Sequence, residues 1–143
     1  MRAYYFTNMY LSPIQKGIQT AHCTAEFFMQ TKSNAPEYSP LIEWADKYKT
    51  MIVLDGGNNK ELIDLYVGLR VIQQSYPLPL AIFKEDEQSL NNATTCVGII
   101  VNDKVYNAVS SVRDKILDVR ELHFLLQEER YLVNTLLKYN LAT

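Results

Sequence analysis

Residues 50–73 read TMIVLDGGNNKELIDLYVGLRVIQ, and their reading decides the fold. TMIVL is a short unbroken apolar run, the pattern of a strand covered on both faces. DGGNN is a turn. Asn58 followed by Glu61 has the spacing of a capping box, and beyond it Leu62, Leu65, Leu69 and Ile72 recur at helical period. Strand, tight turn and helix in direct succession make a βα unit. An α/β organisation follows if the flanking sequence repeats it.

It does. AYYFT, residues 3–7, is aromatic-rich and reads as a strand. Ser12 then offers an N-cap oxygen, Pro13 suits the first helical position, and Gln15 completes a capping box. The helix is predicted to run to about Gln30, burying Ile14, Ile18, Ala21, Ala25 and Phe28 or Met29. Gln15, Gln19, His22 and Glu26 share a second, polar stripe. Gly17 weakens the helix by about 1 kcal/mol relative to Ala and implies close approach by another group. SNAPEYSP, residues 33–40, is a loop, followed by a short helix from about Leu41 to Tyr48.

PLPLAIF leads into a third strand at 80–83, and CVGIIV, residues 96–101, is a fourth. Between them KEDEQSLNNATT, residues 84–95, is polar and loop-like. Asp103 is placed to cap a helix carrying Val105, Val109, Val112 and Ile116. Residues 120–139 read as a further amphipathic helix with Leu122, Leu125, Leu126, Leu132, Val133, Leu136 and Leu137. The order β-α-β-α-β-β-α-α favours parallel pairing of the first three strands through right-handed crossovers, and antiparallel pairing of the last two. The expected architecture is a four-stranded mixed sheet in a three-layer α/β/α sandwich. It comprises an α/β domain over residues 1–118 and a C-terminal helical extension over 119–143.

The bulk properties agree. The chain has 143 residues, 48% hydrophobic and 21% charged, which suits one globular domain. A net charge of −2 gives no field that would gather nucleic acid over the whole surface. Cys23 and Cys96 have neither metal nor disulfide spacing and suit free thiols in a reducing compartment. There is no signal-peptide pattern and no apolar run of about 20 residues. A cytoplasmic protein with no membrane contact is expected.

In such a sheet, ligands collect beyond the carboxyl ends of parallel strands, beside helix starts. Thr7 and Asn8 end the first strand; Ser12, Gln15 and Lys16 begin the first helix; Lys84, Glu85 and Asp86 end the third strand. The polar stripe of the first helix is therefore expected to line a cleft. The plainer reading is a solvated helix face, a lone packed histidine and a solvated charged loop. With only His22 and His123, a zinc site is not expected. Walker, GxGxxG and GxSxG motifs are missing, and no cofactor is expected.

These parts, in this order, resemble the type 2 (archaeal and eukaryotic) peptidyl-tRNA hydrolase family. Ile18-Gln19-Thr20-Ala21-His22-Cys23 resembles its A-Q-x-x-H-A helix pattern, with Gln19 and His22 matching. Trp44 and the stretch MIVLDGGNNKELIDLYVGL resemble its tryptophan, strand, acidic turn and E-x-L-I-x-L helix. KEDEQSLNNATTCVGIIV resembles its D-A-G-x-T loop and following strand. The similarity covers about residues 3–116. It departs where activity would lie: Asn8 stands for a strand-end aspartate, Gln15 for a lysine, and Lys16 alone represents a lysine-rich turn. Glu85 or Asp86 replaces the loop aspartate, and Ser89 the loop threonine.

The resemblance implies catalytic roles for Glu85, Asp86, Ser89 and His22. It implies ligand contacts from Thr7, Asn8, Ser12, Gln15, Lys16, Gln19, Thr94 and Thr95. Three functions compete: an esterase acting on peptidyl-tRNA, a protein that binds a small nucleotide or RNA 3′ end without turnover, and a protein-interaction module. The eroded motif and the acidic balance favour binding without turnover, because tRNA affinity is built from many phosphate contacts. The wide leucine band of 120–139 is expected to pair with a second copy, giving a homodimer or higher oligomer.

Overall fold

The computed structural model describes residues 1–86 and 92–143. Strand β1 (Arg2–Thr7) leads to helix α1 (Pro13–Gln30), then to α2 (Tyr38–Glu43), which continues into a wider π-type turn over Trp44–Tyr48. β2 (Met51–Asp55), α3 (Asn59–Gln73), β3 (Leu80–Lys84), β4 (Thr94–Val101) and α4 (Asp103–Arg113) follow. A 3-10 turn at Val119–Phe124 and helix α5 (Gln127–Leu136) close the chain. The fold is α/β, with a four-stranded mixed sheet in the order β2-β1-β4-β3.

β1 pairs with β2 in parallel, while β4 runs antiparallel to both β1 and β3. The expected parallel pairing of the first three strands is thus corrected at β3: β4 lies between it and β1. This placement also makes β2 an outer strand. TMIVL was expected to be covered on both faces, but only Leu54 of β2 is buried, and Met51 is exposed.

Both outer strands are guarded against further pairing, as exposed sheet edges require. Asn140 O accepts from Asp55 N–H and Val53 O accepts from Ala142 N–H, at 3.0 and 2.9 Å. On β3, the Gln30 amide both donates to Ile82 O (2.8 Å) and accepts from Ile82 N–H (3.1 Å).

Alternation along the strands divides the core into two. Tyr4, Phe6, Leu54, Val97 and Ile99 face α3, α4 and the C-terminal helix. Ala3, Tyr5, Ala81, Cys96 and Ile100 face α1 and α2, meeting Cys23, Phe27, Leu41 and Trp44. Burial pushes the Tyr4 hydroxyl up to about 12 and the Cys96 thiol well above its ordinary value, so Cys96 is a packing group rather than a nucleophile.

Helix α1 sits in the opposite rotational phase to the one expected. Its buried residues are Lys16, Gln19, Thr20, Cys23 and Phe27. Ile14, Ile18, Ala21, Ala25, Phe28 and Met29 are exposed. The sheet beneath supplies the reason, because it carries hydroxyls that need partners. Tyr5 Oη and Thr24 Oγ1 lie 2.6 Å apart, and Thr95 Oγ1 donates to Gln19 Oε1 at 2.9 Å. Thr20 and Thr24 also donate to the carbonyls of Lys16 and Thr20, at 2.8 and 2.9 Å, which satisfies polar groups inside a helix.

Gly98 of β4 allows α1 to approach closely. A Cβ there would stand 2.9 Å from Phe27 Cζ and 3.1 Å from Cys23 Sγ. Both residues are fully buried and have nowhere to retreat. Gly98→Val is therefore expected to lower unfolding free energy by about 1–3 kcal/mol, read as a fall in the urea midpoint at unchanged slope.

Two helical boundaries also differ from expectation. Asn102, not Asp103, caps α4 by accepting from Val105 N–H at 3.0 Å. Ile116 falls beyond the end of that helix and is exposed. The single helix expected over 120–139 is broken into the 3-10 turn and α5. Leu122, Leu125, Leu132, Val133 and Leu136 are buried against β1, β4, α3 and α4. Residues 119–143 thus share the core of residues 1–118. Most of the leucine band expected to need a second copy is covered by the chain itself, Leu126 being the member left exposed, so the band gives no support to a homodimer built through it.

Candidate functional site

The carboxyl ends of β1 and β2 open beside the starts of α1 and α3. Both helices begin with a side-chain cap. Ser12 Oγ accepts from Gln15 N–H and Gln15 Oε1 accepts from Ser12 N–H, at 3.2 and 3.0 Å. Asn58 Oδ1 accepts from Glu61 N–H at 2.9 Å. Between these helix starts lies a cavity of about 310 Å³ lined by Asn8, Tyr10, Leu11, Gln15, Asn59, Ala93 and Thr95.

The amide walls are held in place. Asn8 Nδ2 donates to Thr94 O (3.1 Å), and its Oδ1 accepts from Tyr10 N–H (3.0 Å). Asn59 Oδ1 accepts from Thr94 N–H at 2.7 Å. Thr7 is buried and donates to Leu54 O at 2.9 Å, supporting the floor without lining it. Thr94 Oγ1 is buried with no hydrogen-bond partner among the described residues. Among the described lining residues none is charged, and two helix N-termini favour negative charge nearby.

Thr95 reaches α1 because the β3–β4 ladder slips between Phe83 and Lys84, pairing them with Cys96 and Thr94. The extra residue is turned toward the helix, as bulges do. A polar chain results: Thr95 Oγ1 donates to Gln19 Oε1, and Gln19 Nε2 donates to Glu85 Oε2 at 2.9 Å. Glu85 Oε1 also accepts from Asp86 N–H at 3.3 Å. Thr95 thus links Gln19 and Glu85 to the cavity that Asn8 and Gln15 line, while Gln19 and Glu85 themselves stay off its wall.

Other expected site residues are elsewhere. Lys16 is buried under α1 but lies against β2, lining a separate cavity of about 180 Å³ with Pro13, Gly17, Val53, Ala142 and Thr143. Its Nζ donates to Thr143 O at 3.4 Å. Glu85 follows β3, at the other side of the sheet, three strand spacings or about 14 Å from β2. His22 is exposed and packs against Phe83 with the rings tilted by 53° and their centroids 4.7 Å apart. Ser12 uses its hydroxyl as a helix cap, Asp86 is exposed, and Ser89 lies outside the described residues.

Sequence reasoning missed Tyr10, Leu11, Asn59 and Ala93. Asn59 was within reach: the strand-end rule applied to the first and third strands also applies to β2, whose following helix begins at Asn59. Among the described residues, no group of three or more His, Cys, Asp or Glu side chains is placed to hold a metal ion. No described helix is long and apolar enough to cross a membrane. No protein-family model matches the chain, and comparison with curated proteins found no match.

Proposed function

We propose that this protein binds a small nucleotide, or the 3′ end of an RNA, in the cavity between the starts of α1 and α3, and does not hydrolyse it. The observation that carries the reading is a cavity of about 310 Å³, uncharged among its described lining residues and flanked by two capped helix N-termini. Its volume is at the small end of ligand sites. Helix N-termini suit a phosphate, the amides of Gln15 and Asn59 suit a sugar or base edge, and exposed Tyr10 at the rim suits base stacking. The likeness of the sequence to type 2 peptidyl-tRNA hydrolases, in Gln19 and His22 and in the strand, turn and helix over 51–69, also supports a site that meets an RNA end.

Binding without turnover is favoured by where the reactive groups sit. Glu85 is tied to Gln19 and is not on the cavity wall. Lys16 faces β2. A water-activating carboxylate and a phosphate-holding ammonium would have to act at one reacting centre. The hydrolase reading retains one supporting observation, the chain Glu85–Gln19–Thr95, which resembles a supported carboxylate.

A nucleotide screen by thermal shift tests the proposal. A ligand at about 100 times its dissociation constant adds about 2.7 kcal/mol, which raises Tm by several degrees in a domain of this size. Gln15→Glu keeps the capping acceptor for Ser12 N–H but puts a carboxylate on the wall. It is expected to abolish the shift while leaving the unliganded Tm nearly unchanged. Absence of any shift would reject nucleotide binding here. Rapid cleavage of peptidyl-tRNA, lost in Glu85→Ala, would establish the esterase instead.

A further inference from the structure

We propose that the outward face of α1 is a self-association surface on which a second copy of this chain docks, helix against helix and antiparallel, about a twofold axis at Ala21. Ile14, Ile18, Phe28 and Met29 expose 77, 47, 42 and 81% of their surfaces. Ala21 and Ala25 lie exposed between them, with Gly17 alongside. No atom within 4 Å would meet a Cβ at Gly17, so nothing in the chain itself uses the close approach this glycine offers.

The spacing Ile14, Ile18, Ala21, Ala25, Phe28 alternates four and three residues, the repeat of a helix–helix seam. The charges on α1 lie off this stripe: Lys16 is buried beneath the helix and Glu26 is half-buried. The alternative phase, with this stripe packed on the sheet, is the one the protein does not adopt.

Three features select a second copy as the occupant. The first is symmetry. Reversed about Ala21, position 14 meets 28, 17 meets 25, and 21 meets itself. Ile14 then faces Phe28, Gly17 faces Ala25, and Ala21 faces Ala21. Ile14 and Phe28 meet at the ends and the two Ala21 side chains at the crossing, with Ile18 set beside position 24 of the other copy, so that one patch serves both chains as a twofold contact demands. The second is area. At about 200 Å² for each fully exposed large apolar residue, the four large residues offer roughly 500 Å². The small residues bring the stripe to about 600 Å². Two protomers then bury about 1,200 Å², the lower bound for a specific interface. The third is polarity, because antiparallel helices oppose their dipoles favourably. An interface at that lower bound fits a reversible, micromolar dimer. In this register the partner's Phe28 and Met29 come to rest beside Ile14, next to cavity residue Gln15.

The test combines sedimentation with cysteine pairing on the full chain. The native protein is expected to pass from monomer to dimer between about 1 and 200 µM, as a micromolar interface requires. Ala21→Arg should remain monomeric, with the Tm of the diluted native protein. Under mild oxidation Ala21→Cys should cross-link to itself. Gly17→Cys and Ala25→Cys should each give no cross-link alone and cross-link to each other when mixed. The native thiols Cys23 and Cys96 are buried and stay out of this chemistry. A native protein that is monomeric throughout overturns the proposal. So does a dimer that persists in Ala21→Arg, which places the contact elsewhere. Self-cross-linking of Gly17→Cys overturns the antiparallel register.

Discussion

Leu132→Glu is expected to unfold this protein. Leu132, Val133 and Leu136 are each fully buried, on the face of α5 that meets Phe6, Leu54 and Leu62 in one core. A carboxylate placed there loses its hydration among apolar side chains. An uncompensated buried charge costs about 3–5 kcal/mol, and the lost leucine packing about 2–5 kcal/mol more. Together these reach the whole stability of an ordinary domain, about 5–15 kcal/mol. Far-UV circular dichroism at 25 °C should show loss of structure for Leu132→Glu, and for the double variant with Leu136→Glu. Leu132→Ala should remain folded with a lowered urea midpoint. A folded Leu132→Glu protein with native Tm would mean that α5 detaches without affecting the sheet.

The same leucines show what could be read from the sequence and what could not. Their period, with Val133, marked residues 120–139 as helical and amphipathic, and Leu122, Leu125, Leu132, Val133 and Leu136 are core residues. What covers them was not local information. The sheet face they seal is built from β1 and β4, which lie far away in the chain. The break between the 3-10 turn and α5 carries no glycine or proline. It arises where Glu129 Oε1 reaches back to accept from Leu126 N–H at 3.1 Å.

The βα unit at residues 50–73 was legible because its signals are local: an apolar run, a turn, and the Asn58–Glu61 cap, which the structure contains. Its edge position was not. That depends on β4 inserting between β1 and β3, a pairing set by the whole sheet.

Helix α1 shows a different failure. Two stripes were available, and counting apolar residues chose Ile14 to Met29. The buried stripe contains Lys16, Gln19 and Thr20, and its claim rests on partners the sequence does not place: Tyr5, Thr95 and Glu85. Gly98 was the one local clue, since a glycine inside an apolar strand marks a close backbone approach. The candidate site inherited both outcomes. Residues at the end of β1 and the start of α1 converged as the strand-end rule implies. Lys16 and His22 did not, because their directions follow from the helix phase.

Glu129→Ala is expected to cost roughly 3 kcal/mol or more, although Glu129 contacts neither the cavity nor the outward face of α1. The residue is 3% exposed, and its carboxylate joins three separate segments. Tyr76 Oη and Asn102 Nδ2 each donate to Oε2 at 3.0 Å, and Leu126 N–H donates to Oε1. Asn102 in turn caps α4. Removing the acceptor takes a partner from three half-buried donors, at about 1–3 kcal/mol for each that water does not reach, and leaves Asn102 Nδ2 only its 3.2 Å bond to Tyr76 Oη in a network whose members depend on one another. The network also sets an acid limit. Burial alone would raise the Glu129 carboxyl, but the bonds from Asn102, Leu126 and Tyr76, with Lys104 nearby, outweigh it and hold the group below its ordinary value. Burial and the facing carboxylate push the Tyr76 hydroxyl upward, with Glu128 adding to the negative field. A carboxyl depressed on folding contributes stability that is fully present above its unfolded value of about 4.3. That stability is lost as pH falls through the folded value. The native protein should therefore lose stability between about pH 5 and pH 3 more steeply than Glu129→Gln, which has no proton to take up there. Urea midpoints of both proteins at pH 7, 5 and 3.5 decide the matter: parallel profiles would show that Glu129 carries none of the acid sensitivity.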